Sequence, residues 1–296
     1  MKKIKGLYTA LVTPFDDEMK LDEEGLRHLI QRQLKAHVDG ITIIGSTGEA
    51  PTLTRNEKIR MIQIAREEIQ DKCELMVGTG TYDTRQVIEE TCLASELGAD
   101  SALVVTPYYN KPSQEGLYRH FKAITEETQL PLMIYNNPGR TAFNLDRSTL
   151  ERLMDIPSIV GIKESASSMS QISEFVEIVR KARPSFSIMS GNDIETLPLM
   201  AYGGDGVISV LSNLLPKEVK ALVDAIDGEN YSLAREIHYQ LAKVFKIIFI
   251  ETNPAPIKAA LAMYGFISGK CRLPLCELSK ENECLLADVL KTKVAT

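Results

Sequence analysis

A lysine stands where the surrounding pattern asks for an apolar side chain. In "IVGIKES", residues 159–165, Ile159, Val160 and Ile162 read as a buried strand that Lys163 continues. Such a strand leaves the side chain two directions, inward or out toward a covering helix, and both are dry. A desolvated amine is a candidate nucleophile that forms a Schiff base with a carbonyl substrate. At the ordinary pKa of ~10.4 about one lysine in 2,500 is neutral at pH 7, whereas burial that lowers it to ~7–8 frees a tenth to a half. The alternative is structural, an ammonium that snorkels to the strand rim or pairs with Glu164 or a neighbouring carboxylate. The pattern alone leaves both open.

Other polar groups gather after the neighbouring apolar runs. In "YNNPGRT" (135–141), Arg140 sits in a Pro-Gly turn, where its fork suits a carboxylate or simply faces solvent. Tyr135 opens the segment with a phenol able to relay protons, or merely to pack. Ser46 and Thr47, in "GSTGE" (45–49), offer hydroxyls and backbone N–H groups to an anion, or cap the next helix, although Thr54 is better placed for that. Tyr108 and Tyr109 are adjacent, so on a strand at most one can share a pocket. "GGDG" (203–206) reads as a tight turn more readily than as a phosphate nest.

The elements that must position these groups form one repeated unit. Eight short runs rich in Val, Ile and Leu ("GLYTALVTPF", "GITIIG", "ELMVGTG", "SALVVTPYY", "PLMIYNNP", "IVGIKES", "FSIMSGND" and "GVISVL") alternate with amphipathic stretches. In "TRNEKIRMIQIAREEI", Thr54 and Glu57 form a capping box, and Ile62, Ala65 and Ile69 share a face. "SMSQISEFVEIVRK" repeats the device, with Ser168 and Gln171 as the box and Ile172, Phe175, Val176 and Val179 as the stripe. Continuous apolar strands separated by helices imply a parallel sheet covered by helices. Eight units in roughly 225 residues match a closed α/β (β/α)8 TIM barrel, whose chemistry sits at the C-terminal strand ends. A doubly wound open sheet is the runner-up, weakened because no GxGxxG follows the first strand. Helical patterns alone follow, at 216–227, about 229–250, 254–264 and 279–290, so residues 1–227 are expected as the barrel and 228–296 as a helical domain packed on it.

Composition excludes several function classes. The 296 residues carry a formal charge of −6 with both signs interspersed, which offers no basic face to nucleic acid or anionic lipid. The apolar run "VFKIIFI" is broken by Lys246 and falls far short of the ~20 residues of a spanning helix. The start "MKKIKGLYTALVTPF" turns into a Pro-containing strand pattern without a cleavage site, so a cytoplasmic protein is expected. Cys73, Cys92, Cys271, Cys276 and Cys284 form no CxxC pair and are expected as buried thiols. His28, His37, His120 and His238 show no metal-ligand spacing.

Taken together, "GSTGE", "VVTPYYNKPSQEGLYRHF", "YNNPGRT", "GIKES", "SGND", "GGDGVISV" and "TNPAPIKAAL" resemble the dihydrodipicolinate synthase and N-acetylneuraminate lyase superfamily, in family order and over nearly the whole chain. The resemblance is closest on the synthase side. It implies a barrel with a C-terminal helical appendage, assembled as a homotetramer of two tight dimers, without metal or organic cofactor. Lys163 would form the Schiff base with pyruvate, and the enamine would attack L-aspartate 4-semialdehyde to give 4-hydroxy-tetrahydrodipicolinate, toward diaminopimelate and lysine. Tyr135 would be the proton-transfer phenol, linked through the hydroxyl at 46 or 47 to Tyr109 of a neighbouring subunit. Thr47 would hold the pyruvate carboxylate, Arg140 the semialdehyde carboxylate, and the Val207–Ile208 backbone would line the pocket.

Two departures matter. Ser46 replaces the threonine of many synthases and matches sialate lyases, while Arg140, which those lyases lack, suits a small amino-acid carboxylate. In lysine-inhibited members a histidine, an asparagine and a glutamate grip the effector. The matching positions here are Lys58, Tyr82 and Gln86, with Tyr108 retained, so feedback inhibition is expected to be weak or absent. The competing readings are a retro-aldolase acting on sialate or a 2-keto-3-deoxy sugar acid, and a non-catalytic scaffold built on the same barrel.

Overall fold

Strands buried on both faces need two separate cores, and the chain supplies them by alternation. In β1 (Gly6–Ala10) Leu7 faces the helices while Tyr8 and Ala10 fill the barrel; β2 (Gly40–Ile43) sends Ile41 and Ile43 outward. β3 (Glu74–Gly78), β4 (Ser101–Val105) and β5 (Leu132–Asn136) repeat this with Met76, Leu103 and Met133 inside. β6 (Ile159–Glu164), β7 (Ser187–Ser190) and β8 (Gly206–Ser209) complete a closed, parallel barrel in chain order. Closure between β8 and β1 brings Gly206 against Gly6, where a Cβ on Gly206 would lie 2.0 Å from the Gly6 carbonyl oxygen. The computed structural model describes residues 3–294.

Helices cover the barrel: α1 (Glu23–Lys35), α2 (Arg55–Ile69), α3 (Thr84–Glu96), α4 (Gln114–Glu127), the one-turn α5 (Pro138–Thr141), α6 (Arg147–Met154), α7 (Met169–Ala182), α8 (Thr196–Ala201) and α9 (Pro216–Asp227). Thr54 and Glu57 close the expected capping box on α2, worth about 1 kcal/mol. On α7 only half of the second box forms: Ser168 accepts from the Gln171 N–H, but the Gln171 side chain turns to Asn144 and Glu164 instead. "GGDG" is a turn into β8.

α10 (Tyr231–Ile247), α11 (Ala255–Met263) and α12 (Lys280–Val294) follow the barrel. Their segment is fastened to the barrel mouth by polar side chains. Arg272 reaches Glu57 at 2.5 Å, and Lys258 reaches Glu49 at 2.6 Å. The cysteines depart from expectation: Cys271 is buried, Cys73 and Cys92 are half-buried, and Cys276 and Cys284 of the C-terminal segment are exposed. Among the described residues no helix is long and apolar enough to cross a membrane.

Candidate active site

A bulge decides which way Lys163 points. Leu132 of β5 pairs with Ile159, but Met133 pairs with Gly161, so Val160 is the extra residue and the alternation of β6 is reset. Ile159 and Ile162 both pack outward, and Lys163 falls in register between Tyr135 and Met189, two residues of the barrel interior. Its side chain is buried and its Nζ lies 4.3 Å from the centre of the Tyr135 ring. Among the described residues it has no ion pair.

A pair with Glu164, one form of the structural alternative, is excluded by the same alternation. Glu164 sits on the other face of β6, fully buried, with its carboxylate accepting from Asn136 Nδ2 at 3.0 Å, Ala166 N at 2.6 Å and Gln171 Nε2 at 3.2 Å. Burial pushes its pKa up to about 7, and these donors only moderate the rise.

Lys163 opens onto a cavity of about 620 Å³ at the C-terminal ends of the strands, which Ser46, Thr47, Tyr135 and Arg140 also line. Five of the sequence-nominated residues therefore meet in one place. Burial pushes the Tyr135 phenol up, but the Lys163 charge, a 2.7 Å hydrogen bond donated by Asn137 Nδ2 and the Arg140 charge outweigh it and hold the phenol below the usual tyrosine range. Asn253, from the loop before α11, joins two of the binding groups. Its Nδ2 donates to Thr47 Oγ1 at 3.0 Å, and its carbonyl accepts from Arg140 at 3.2 Å.

Three nominated residues lie elsewhere. Tyr109 is 90% exposed, and the Tyr135 hydroxyl is bonded to Asn137, so the relay through position 46 to Tyr109 is not closed within one chain. Val207 packs outward against the helices and Ile208 fills the barrel interior beneath; Val210 borders the cavity instead. Sequence reasoning missed Thr42, Ser165 and Asn253, which line the cavity with Thr42 Oγ1, Ser165 Oγ and Asn253 Oδ1 buried and without a partner of hydrogen-bonding geometry. The signal for Thr42 was available, since it is the polar inward residue of the apolar run "GITIIG". A second, apolar lobe of about 300 Å³, bordered by Ile44, Leu103, Val105, Tyr108 and Leu275, adjoins the first at Ser46, Tyr135 and Arg140.

A buried amine, a phenol with lowered pKa and an arginine beside a cluster of hydroxyls suit the handling of a small oxo acid. Comparison with known proteins bears on the same point. The family model of the dihydrodipicolinate synthetase family matches residues 3–293. The chain belongs to that family. A Protochlamydia amoebophila relative named 4-hydroxy-tetrahydrodipicolinate synthase is 52% identical over 97% of this chain and 96% of its own. The crystal structure of dihydrodipicolinate synthase from Thermotoga maritima superposes with a TM-score of 0.97 at 41% identity, covering 99% of this chain and 100% of that one. A structure described as the first monomeric dihydrodipicolinate synthase variant also superposes at 0.97 with 41% identity, over 99% of this chain and 98% of its own.

Proposed function

We propose that the chain condenses pyruvate with L-aspartate 4-semialdehyde to give 4-hydroxy-tetrahydrodipicolinate. The observation that carries this reading is the buried Lys163 amine against the Tyr135 ring, in a cavity that also holds Arg140 and Thr47. The amine adds to the pyruvate carbonyl carbon, and Tyr135 returns a proton to the departing hydroxyl, so that water leaves and an iminium remains. Loss of a methyl proton gives the enamine, whose terminal carbon bonds to the semialdehyde carbon while the aldehyde oxygen takes a proton. The semialdehyde amine then attacks the iminium carbon and displaces Lys163, closing the ring and freeing the enzyme.

In this reading Thr47 holds the pyruvate carboxylate through its hydroxyl and backbone N–H, and Arg140 holds the semialdehyde carboxylate. Ser46 and the Tyr109 of a neighbouring copy complete the proton path, in a cytoplasmic homotetramer built as a dimer of dimers. The apolar lobe beside Ser46 and Tyr135 leaves room for such an entering ring.

The deciding experiment is the condensation assay with pyruvate and aspartate semialdehyde, alongside borohydride trapping and mass analysis. Wild type is expected to gain a three-carbon adduct on Lys163, Lys163→Ala to lose it, and Arg140→Ala to keep it while losing semialdehyde use. Cleavage of sialate or a 2-keto-3-deoxy sugar acid at a comparable rate would favour the retro-aldolase, and a wild type without an adduct would leave the scaffold.

A further inference from the structure

Two buried charges near the cavity take no part in the chemistry above. Glu49 and Lys258 are both fully buried and 2.6 Å apart, one ending the turn that carries Ser46 and Thr47, the other in α11. Lys258 Nζ also lies 4.3 Å over the Phe15 ring, and the second Glu49 oxygen accepts from the Arg272 backbone N–H at 2.9 Å. Burying such a pair is costly, and apolar residues of similar volume often do as well or better for stability, so the pair calls for another explanation.

The backbone supplies it. Glu49 sits at φ 54, in the left-handed region, which disfavours any residue that carries a Cβ. The conformation folds 45–49 back on itself, with Gly48 N and Ala50 N both donating to the Gly45 carbonyl and Thr13 Oγ1 donating to the Gly48 carbonyl at 2.6 Å. On the far side of the turn, Asn253 fixes Thr47 Oγ1 from the segment that leads into α11. The turn bearing Thr47 is thus held at two points by one C-terminal segment, by an amide at Thr47 and by an ion pair at Glu49.

We propose that Glu49 and Lys258 are positioning residues for substrate carboxylate binding: the buried pair locks the 45–49 turn so that the Thr47 hydroxyl and N–H face the cavity at a fixed place. The proposal rests on the reading of Thr47 as the pyruvate carboxylate site. It gives the C-terminal segment a part in catalysis, because α11 contributes the cation that sets the turn. Burial draws the Lys258 pKa down while the Glu49 charge and hydrogen bond oppose that fall, as in a pair whose two members depend on each other.

Removing one member leaves an uncompensated buried charge, so the informative variant is Glu49→Gln/Lys258→Met, which discharges both while keeping their shape. Its stability is expected close to wild type, with the KM for pyruvate raised at least tenfold and kcat at saturating pyruvate and the KM for semialdehyde within about twofold. A folded double variant with wild-type pyruvate KM overturns the proposal. Should that variant fail to fold, Glu49→Asp decides, since it keeps the charge but draws the carboxylate back by one methylene. A several-fold rise in pyruvate KM is expected there, and an unchanged value overturns the assignment. Borohydride trapping of pyruvate on wild-type Lys163 tests the underlying reading separately: without an adduct it is the Schiff-base function that fails, whatever the KM values of the variants.

Discussion

Lys163 Nζ stands over the ring of Tyr135, its register partner on the adjacent strand, and both side chains face the barrel interior. The ring thus forms one wall of the amine's pocket, the proposed reaction uses the hydroxyl as acid and base, and the two contributions can be separated. Tyr135→Phe keeps the wall and removes the proton carrier. Its pyruvate adduct should still reach wild-type extent under borohydride, but more slowly, with kcat down by ~10²–10³ as for loss of a general acid. Time-resolved trapping with steady-state rates checks this, and full kcat in Tyr135→Phe would remove the phenol from the mechanism.

Gly191 is required by close approach. A Cβ there would lie 1.8 Å from Ser165 Oγ, 3.0 Å from Lys163 Cε and 3.1 Å from the Glu164 carbonyl oxygen. The serine can rotate away, but the lysine stem and the backbone behind it have little room. Gly191→Ala is expected to fold and to lose ten-fold or more in the rate of pyruvate adduct formation. A folded variant with an unaltered trapping rate would show that Lys163 tolerates displacement.

The barrel was legible because each strand is a short apolar run and several of the helices between them carry a start signal, as Thr54 and Glu57 do for α2. The direction of Lys163 was not, because it depends on a one-residue bulge at Val160 that no side-chain pattern announces. Tyr135, Arg140, Ser46 and Thr47 could be nominated from the ends of apolar runs, since polar residues at those ends have few other uses. Asn253 was not nominated because, with Pro254 and Pro256, it reads as punctuation before a helix, and its partners Thr47 and Arg140 are more than a hundred residues away. The Val207 and Ile208 side chains pack in the two cores rather than at the cavity, because a strand residue fixes a face while the height at which a cavity begins is set by the loops above it.

Glu164 gives the molecule a pH dependence with a definite sign. Its carboxyl rises from an ordinary 4.5 to about 7 through burial. Between those values the folded chain holds a proton that the unfolded chain has lost, so this group favours folding at the acid end and the contribution is lost as pH rises through about 7. Glu164→Gln has no such term. The stability of wild type relative to Glu164→Gln should fall from pH 5 to pH 8, read as the difference between denaturant midpoints. A gap that stays constant or widens would show that Glu164 is ionised in the folded state throughout.

Feedback by L-lysine can be predicted from charge. Lys58 lies 3.6 Å from Glu90, Tyr82 packs edge-on against Tyr108 with ring centres 5.5 Å apart, and Gln86 is an exposed residue of α3. Before the opposing charge of Glu90 is counted, an effector ammonium within ~5 Å of Lys58 is repelled by about 3 kcal/mol at an effective dielectric of ~20. Gln86 returns no compensating charge. L-lysine at 1 mM is therefore expected to leave the condensation rate nearly unchanged in a coupled assay, and sub-millimolar inhibition would refute the argument. The converse variant, Lys58→His/Tyr82→Asn/Gln86→Glu, removes the cation and supplies an acid, and is expected to gain measurable inhibition in the same assay.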